Sequence, residues 1–378
     1  MSPTMKNYSS RSRRSRCLAV VLSLACLLLA GCSTGKKTNQ TLRVGVALYT
    51  QDDTFISTIV QNLEWMAQDA ESQTGDLKLN LSIADGRSNQ TTQMDQIDQF
   101  LARGYDVLCV NIVDRTAAAV IIDKAQEADV PLIFFNRQPV AEDIQRWERT
   151  YYVGARAEEG GILQGQLVAQ AWQQEQEIWD RNGDGVLQYV MLEGEPGHQD
   201  ALLRTEYSIK ALTDAGLEVE KLVSDTANWS RSQAAEKMSQ WLAEFGDGVE
   251  AVFSNNDDMA LGAVDAYREA GLDLPLVVGV DATSPALEAI RQGELYGTVL
   301  NDAQGISRAM LDLILTLERG EDPAQELELE EEHYIWLPYQ LVTRDNYQDF
   351  LPQSRARRKG GRKDVGDRAD GTHCLYPK

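Results

Sequence analysis

From Leu42 onward, short apolar runs alternate with amphipathic stretches, and this alternation limits the possible folds more than any single residue does. LRVGVALY (42–49), LKLNLSIAD (77–85), YDVLCVNIV (105–113) and VPLIFFN (130–136) read as strands, with helices near 54–72, 88–103 and 116–127 between them. Repeated strand and crossover helix builds a parallel sheet with helices on both faces. A second series continues with YYVG (151–154), VLQYVMLEG (186–194), LEVEKLV (217–223), VEAVFSNN (249–256) and LPLVVGVDA (274–282). About 310 residues carry the pattern, more than one core typically organises, so an α/β chain of two doubly wound lobes, each of about 150 residues, is expected.

The two ends of the chain are of a different kind. Arg11, Arg13, Arg14 and Arg16 precede an apolar run from Cys17 to Ala30 that closes with Leu29-Ala30-Gly31-Cys32. A basic region, a short apolar region and small residues before a cysteine describe a bacterial lipoprotein signal (1–31), and the run is too short to read as a membrane span. An ordinary signal peptide cut elsewhere is the competing reading. On the lipoprotein reading Cys32 is lipidated, 32–41 is a linker, and the protein sits in the periplasm or at the cell surface on a membrane anchor. Ser33 carries none of the Asp retention signal, which favours an outer membrane where the cell has one. At the other end, 353–378 is basic and poor in apolar residues, with Arg355, Arg357, Arg358, Lys359, Arg362 and Lys363, and reads as a disordered tail.

Losing residues 1–31 would leave, besides the lipidated Cys32, two cysteines, Cys109 in an apolar strand and Cys374 in the tail, so no disulfide framework is expected. The chain has 58 acidic and 36 basic residues, a net charge of −22. Such a surface repels phosphate backbones and argues against nucleic acid as a partner.

In open α/β sheets, ligands sit beyond the carboxyl ends of the strands. Those ends carry Asp52, Asp53 and Phe55; Asn111 and Asp114; Asn136 and Arg137; Glu195 to Asp200; Asn255 to Asp257; Asp281; and Asn301 with Asp302. Helix capping and turn formation explain any one of them. A cleft lined by all of them would offer carboxylates and amides with few fixed cations, which suits a neutral polyhydroxylated ligand whose hydroxyls each donate and accept. Phe55 and Trp229 lie in opposite halves and could cover the two apolar faces of a sugar ring, or serve as ordinary core aromatics. His198 is the one histidine in a strand-end loop, with Arg204 a turn into the next helix.

A separate string, Asp180-Arg181-Asn182-Gly183-Asp184-Gly185, places oxygen side chains at alternate positions before a glycine, like the start of a calcium loop. The twelfth position, where such a loop needs a bidentate Glu, is Met191. Either the match is accidental or a carboxylate from elsewhere completes the shell.

Several strings in order carry a resemblance: VALYTQDDTF (46–55), MDQIDQFLA (94–102), VPLIFFN (130–136), YYVG (151–154), DRNGDG (180–185), GEPGHQD (194–200), NNDDMA (255–260), GVDA (279–282) and GTVLNDA (297–303). From about Arg43 to Phe350 the chain resembles the periplasmic galactose/glucose-binding proteins of bacterial ABC sugar transporters. The resemblance implies a type I periplasmic binding fold with a three-crossing hinge near 154–156, 300–303 and 337–340. The N-terminal lobe would be 42–154 plus 303–337, and the C-terminal lobe 155–302 plus 338–352.

The family's sugar ligands fall on Asp53, Phe55, Asn136, His198, Asp200, Arg204, Trp229, Asn256, Asp281 and Asn301. Asp53 would hold the hydroxyl whose orientation separates glucose from galactose, Phe55 and Trp229 would stack on the ring, and Arg204 would neutralise Asp200 and Asp281. The resemblance also implies a structural calcium ion held by Asp180, Asn182, Asp184, Gln188 and Glu250 with the Val186 carbonyl, Glu250 supplying the missing contact. The segment Val140–Thr150, with Trp147, departs from the family, and Gln199 replaces a proline often found there. The expected function is a monomeric, lipid-anchored binding protein that closes on D-galactose or D-glucose and delivers it to an ABC permease. Sugar presentation to a chemoreceptor is the alternative. A regulator of the lac-repressor type shares the fold but needs a DNA-reading helix-turn-helix that is absent here. A glycosidase using Asp200 and Asp281 is the least favoured reading, because a site lined by neutral amides with an adjacent Arg is expected to lack the desolvated acid of raised pKa that such chemistry needs.

Overall fold

The computed structural model describes residues 40–74 and 77–351. Cys32, the signal segment and the basic tail lie outside the described residues. Within them, twelve strands form two six-stranded sheets. The first sheet takes β1 (Gln40–Leu48), β2 (Leu77–Asp85), β3 (Val107–Val110), β4 (Leu132–Phe135), β5 (Thr150–Gly154) and β11 (Tyr334–Trp336) in the order β11-β5-β4-β3-β1-β2. The second takes β6 (Val186–Glu193), β7 (Glu218–Thr226), β8 (Ala251–Ser254), β9 (Leu276–Val278), β10 (Gly297–Leu300) and β12 (Gln340–Thr343) in the order β12-β10-β9-β8-β6-β7.

The continuous apolar character of these strands follows from burial on both faces. In β3, Val107 and Cys109 face a core shared with helices Thr54–Thr74 and Ala303–Glu318, while Leu108 and Val110 face a second core with Ile121 and Ile122. In β6, Val190 and Leu192 face one side, and Leu187, Tyr189 and Met191 the other. Period-two side-chain placement thus gives each sheet two helix layers. Full burial of one such Leu, Ile or Phe contributes about 1.5–3 kcal/mol. Met191, the failed twelfth position of the calcium string, is one of these core residues. It is 1% exposed, with no route to a loop.

Three details depart from the strand pattern. YYVG, which the strand pattern alone lists with the second series and the resemblance puts in the N-terminal lobe, pairs with β4 in the first sheet. β12 runs antiparallel to β10, because it follows directly on β11 through the short segment 337–339 with no crossover helix between. Finally, β11 is a late strand added to the edge of the first sheet, and its Tyr334 and Trp336 pack on Tyr152. The departing segment 140–150 forms a short helix, Ala141–Ile144, and buries Trp147 in the first lobe's core.

The chain passes between the two sheets three times. It leaves β5 for helix Ala157–Gln174, leaves β10 for helix Ala303–Glu318, and runs from β11 to β12. Helix Ala157–Gln174 lies unusually close to helix Gln199–Asp214, and glycine makes this possible. A Cβ on Gly165 would sit 2.1 Å from the Ser208 carbonyl oxygen, and one on Gly161 2.9 Å from that of Arg204. This contact fixes the helix that carries Asp200 and Arg204.

Candidate functional site

Strand ends of both sheets meet at a narrow cavity with about 30 Å³ of water-accessible space, partly open to solvent. Nine of the ten residues expected for the sugar line it: Asp53, Phe55, Asn136, His198, Asp200, Arg204, Trp229, Asn256 and Asp281, together with Tyr49, Ile56 and Arg137. The tenth, Asn301, lies behind the cavity wall, 3% exposed, with Nδ2 donating to Asp281 Oδ1 at 3.4 Å.

Capping and ligand placement turn out to be one arrangement. Asp53 Oδ1 accepts the Ile56 N–H (2.9 Å), Asn256 Oδ1 accepts the Met259 N–H (3.0 Å), and His198 caps helix Gln199–Asp214. Each cap uses one polar atom to hold its side chain at the cavity, and the next atom is also placed: Asp53 Oδ2 accepts the Tyr49 hydroxyl (2.5 Å) and Asn256 Nδ2 donates to the Trp229 carbonyl (3.5 Å). Backbone strain adds to the definition. Asn136 (φ 60°), Trp229 (φ 61°) and Asp281 (φ 119°) all occupy left-handed conformations that non-glycine residues avoid. Asn136 is held there by three bonds: its N–H to Val153 O (3.0 Å), its carbonyl from Tyr152 Oη (2.8 Å), and Oδ1 from Asn111 Nδ2 (3.1 Å). Trp229 depends on Gly194, where a Cβ would come within 2.2 Å of the indole.

Arg204 organises the floor. Its Nη2 donates to Asp200 Oδ2 (2.9 Å) and Tyr339 Oη (3.0 Å), and its Nη1 donates to the Asn255 carbonyl (2.8 Å) and lies 3.9 Å from Asp281 Oδ1. Burial pushes the carboxyl groups of Asp200 and Asp281 up, while Arg204 pulls them down. Tyr339 belongs to the segment joining β11 to β12, so the third crossing reaches into the site. Burial, reinforced by Arg137 and Arg204, holds His198 well below the usual histidine range. Its Nδ1 accepts the Asp200 N–H (3.1 Å), which leaves the proton on Nε2 as a neutral donor. The His198 and Trp229 rings meet edge-on at 5.0 Å. Arg204 Nε, Trp229 Nε1 and Asn301 Oδ1 are buried and have no partner within the protein.

The cleft holds two fixed cations, Arg137 and Arg204, 6% and 3% exposed. Arg137 could be listed among the strand-end residues, but nothing local in the sequence signals that it reaches Glu195 at 2.5 Å, 58 residues away. One expectation needs correction: desolvated acids are present, since Asp200 and Asp281 are both buried with raised pKa. Arg204 is held against both, which suits binding better than proton donation.

The calcium string forms a loop between the short helix Gln176–Trp179 and β6. Asp180 accepts the N–H groups of Gly183, Asp184 and Gly185, and Asp184 Oδ1 accepts that of Val186, which holds the Asp184 carboxyl below the usual range. Glu250, 1% exposed, brings its two carboxylate oxygens onto the N–H groups of Arg181 (2.7 Å) and Gln188 (2.9 Å). Asn182 and Gln188 bond to Asp184 Oδ2 and to each other. Five oxygen-bearing side chains therefore lie around one loop, and oxygen donors of these types would suit a hard cation such as calcium, although here their oxygens are bonded to N–H groups of the loop. Burial raises the Glu250 carboxyl, a cost that a cation would relieve. Among the described residues no group of three or more His, Cys, Asp or Glu side chains is arranged to hold a metal, and Asp180, Asp184 and Glu250 are no exception.

Two sheet-bearing lobes joined by three crossings, with a polar cavity between them, define a solute-binding protein of the type I periplasmic binding fold. Residues 44–322 match the family model described as a periplasmic binding protein domain, and the chain belongs to that family. It is 39% identical over 311 residues to the D-galactose/methyl-galactoside binding periplasmic protein MglB of Haemophilus influenzae, covering 82% of this chain and 92% of that protein. It is 28% identical to a xylitol-binding protein of Mycolicibacterium smegmatis, over 78% of each. Among solved structures, an ABC transporter solute-binding protein from Bacillus halodurans with bound myo-inositol superposes with a TM-score of 0.69 at 29% identity, covering 84% of this chain and 99% of that one. These relatives are binding proteins, and the chain is not an enzyme. No helix among the described residues is long and apolar enough to cross a membrane.

Proposed function

We propose that the protein is the extracytoplasmic sugar-binding component of an ABC importer, and that its cavity takes D-galactose or D-glucose. The observation that carries this reading is the gathering of nine expected ligand positions around one partly open cavity whose polar atoms come from both lobes. Asp200, Asp281, Asn136, Asn256 and the neutral His198 supply acceptors and donors for ring hydroxyls, Asp53 faces the hydroxyl that separates the two sugars, and Phe55 and Trp229 cover the apolar faces. The 39% identical relative is named for D-galactose and methyl-galactoside, and others are named for xylitol or hold myo-inositol, so the choice of hexose rests on the residues of the cavity. Bonds made from both lobes at once shift the protein toward its closed form, which a permease reads.

On this account the loop Asp180–Gln188 with Glu250 holds calcium to stiffen the second lobe, and Cys32 carries a lipid that keeps the protein at a membrane. A melting-temperature panel tests the ligand. D-galactose and D-glucose are expected to give the largest upward shifts. A larger shift with myo-inositol, xylitol or a pentose would overturn the assignment.

A further inference from the structure

The cavity is closed at one rim by a charged contact that makes no use of the sugar-facing atoms. Arg137 follows Asn136 at the end of β4, and its guanidinium is fixed on its own lobe. Nη1 donates to the Val113 carbonyl (3.1 Å), and the guanidinium carbon stands 3.5 Å from the centre of the Tyr49 ring. Its Nη2 crosses the cleft to Glu195 Oε2 (2.5 Å), in the loop after β6 on the other lobe. The Arg137 side chain is 7% exposed and that of Glu195 32%, so the pair is largely withdrawn from water. Beside it, Gln199 Nε2 donates to Gln138 Oε1 (3.2 Å), also across the cleft. Tyr49, under the guanidinium, donates its hydroxyl to Asp53 Oδ2 (2.5 Å). One continuous path therefore runs from Glu195 through Arg137 and Tyr49 to a carboxylate of the cavity.

The geometry points to Arg137 and Glu195 as an electrostatic latch: a pair that forms only when the lobes close, and that ties closure to the position of Asp53. Arg137 stays ordered when Glu195 departs, because its stacking and its bond to Val113 are within its own lobe, so little ordering cost attends each closure. A contact made only in the closed state holds the bound form without helping the first encounter, so it acts on the dissociation rate. Arg137 is thus a positioning residue, acting on the ligand through Tyr49 and Asp53. This proposal rests on the sugar-binding reading for its kinetic test, and has a second test that does not.

In stopped-flow measurements of tryptophan fluorescence with D-galactose, Glu195→Gln is expected to speed dissociation by about tenfold with the association rate nearly unchanged. Arg137→Gln should do the same, and the double variant should be no worse than either single one, since the two act as a unit. High salt should speed dissociation from the unaltered protein and leave Glu195→Gln unaffected. Equal dissociation rates in the unaltered protein and Glu195→Gln, or strictly additive single effects, would overturn the latch. If the unaltered protein gives no response to galactose, the sugar reading fails alone. The latch is then decided by small-angle X-ray scattering of the ligand-free protein: at low salt Glu195→Gln should have the larger radius of gyration, a difference that high salt abolishes, and identical radii would overturn the proposal.

Discussion

The inter-lobe cavity and the loop Asp180–Gln188 both gather oxygen atoms, but by opposite means. Cavity residues come from six strand ends on two lobes, several in strained backbone conformations, and the carboxyl groups of Asp200 and Asp281 are pushed up by burial. The loop draws on one short stretch plus Glu250 of the same lobe, and its exposed Asp184 is held low by a backbone N–H. A site shared between lobes has a strength that depends on their separation. A site made inside one lobe should not feel closure at all.

Disabling the cavity alone should produce the largest effect. Arg204→Met strands Asp200 and Asp281 as buried carboxylates without their cation, at a cost of about 3–5 kcal/mol, and should abolish measurable galactose binding. The melting shift on adding a calcium chelator should remain that of the unaltered protein. Loss of the chelator response in this variant would break the separation between the two regions.

Glu250→Ala tests the converse. It leaves the Arg181 and Gln188 N–H groups without acceptors and should cost about 2–3 kcal/mol of stability in thermal or denaturant unfolding. It should also weaken calcium binding while sparing sugar affinity at saturating calcium. A melting temperature indifferent to chelator, before and after the change, would mean that the loop is only a turn.

Smaller again is Trp229→Ala. Removing one ring face should weaken galactose binding by about 1–2 kcal/mol, read by calorimetry, without altering the response to calcium.

The last expected effect concerns pH. Asp257, fully buried next to the cavity floor, has its carboxyl pushed to about 7 by burial, against bonds from Thr298 Oγ1 and the Thr283 N–H. A folded-state pKa raised above the unfolded value means that the folded protein holds the extra proton. The stability contribution is therefore complete near pH 4, declines as pH rises toward 7, and is flat above it. Asp257→Asn should remove that slope, gaining on the unaltered protein by on the order of 1 kcal/mol for each pH unit between those limits. Parallel stability curves for the two proteins would show that Asp257 does not titrate in this range.

The same contrast explains what could be read from the sequence. Strand ends are local features. An apolar run followed by Asn or Asp marks its own position, so Asn136, Asn256 and Asp281 were identifiable one by one, and the loop's alternate oxygens even more so. Contacts across sequence distance were not. Tyr339 reaches Arg204 from 135 residues away, and Arg137 reaches Glu195 from 58. Neither pairing leaves a spacing signal, because it depends on how two lobes face each other. β12 was missed for a related reason: a four-residue strand carries little periodicity, and its antiparallel direction is set by the hinge crossing and not by its own residues.

Isothermal titration calorimetry of the full chain with D-galactose and D-glucose tests the central claim most directly. One site per molecule with micromolar or tighter affinity for at least one of the two sugars is the result that a two-lobed hexose cavity predicts. No heat of that affinity with either sugar, from protein first stripped of any bound ligand by unfolding and refolding in calcium, would contradict it.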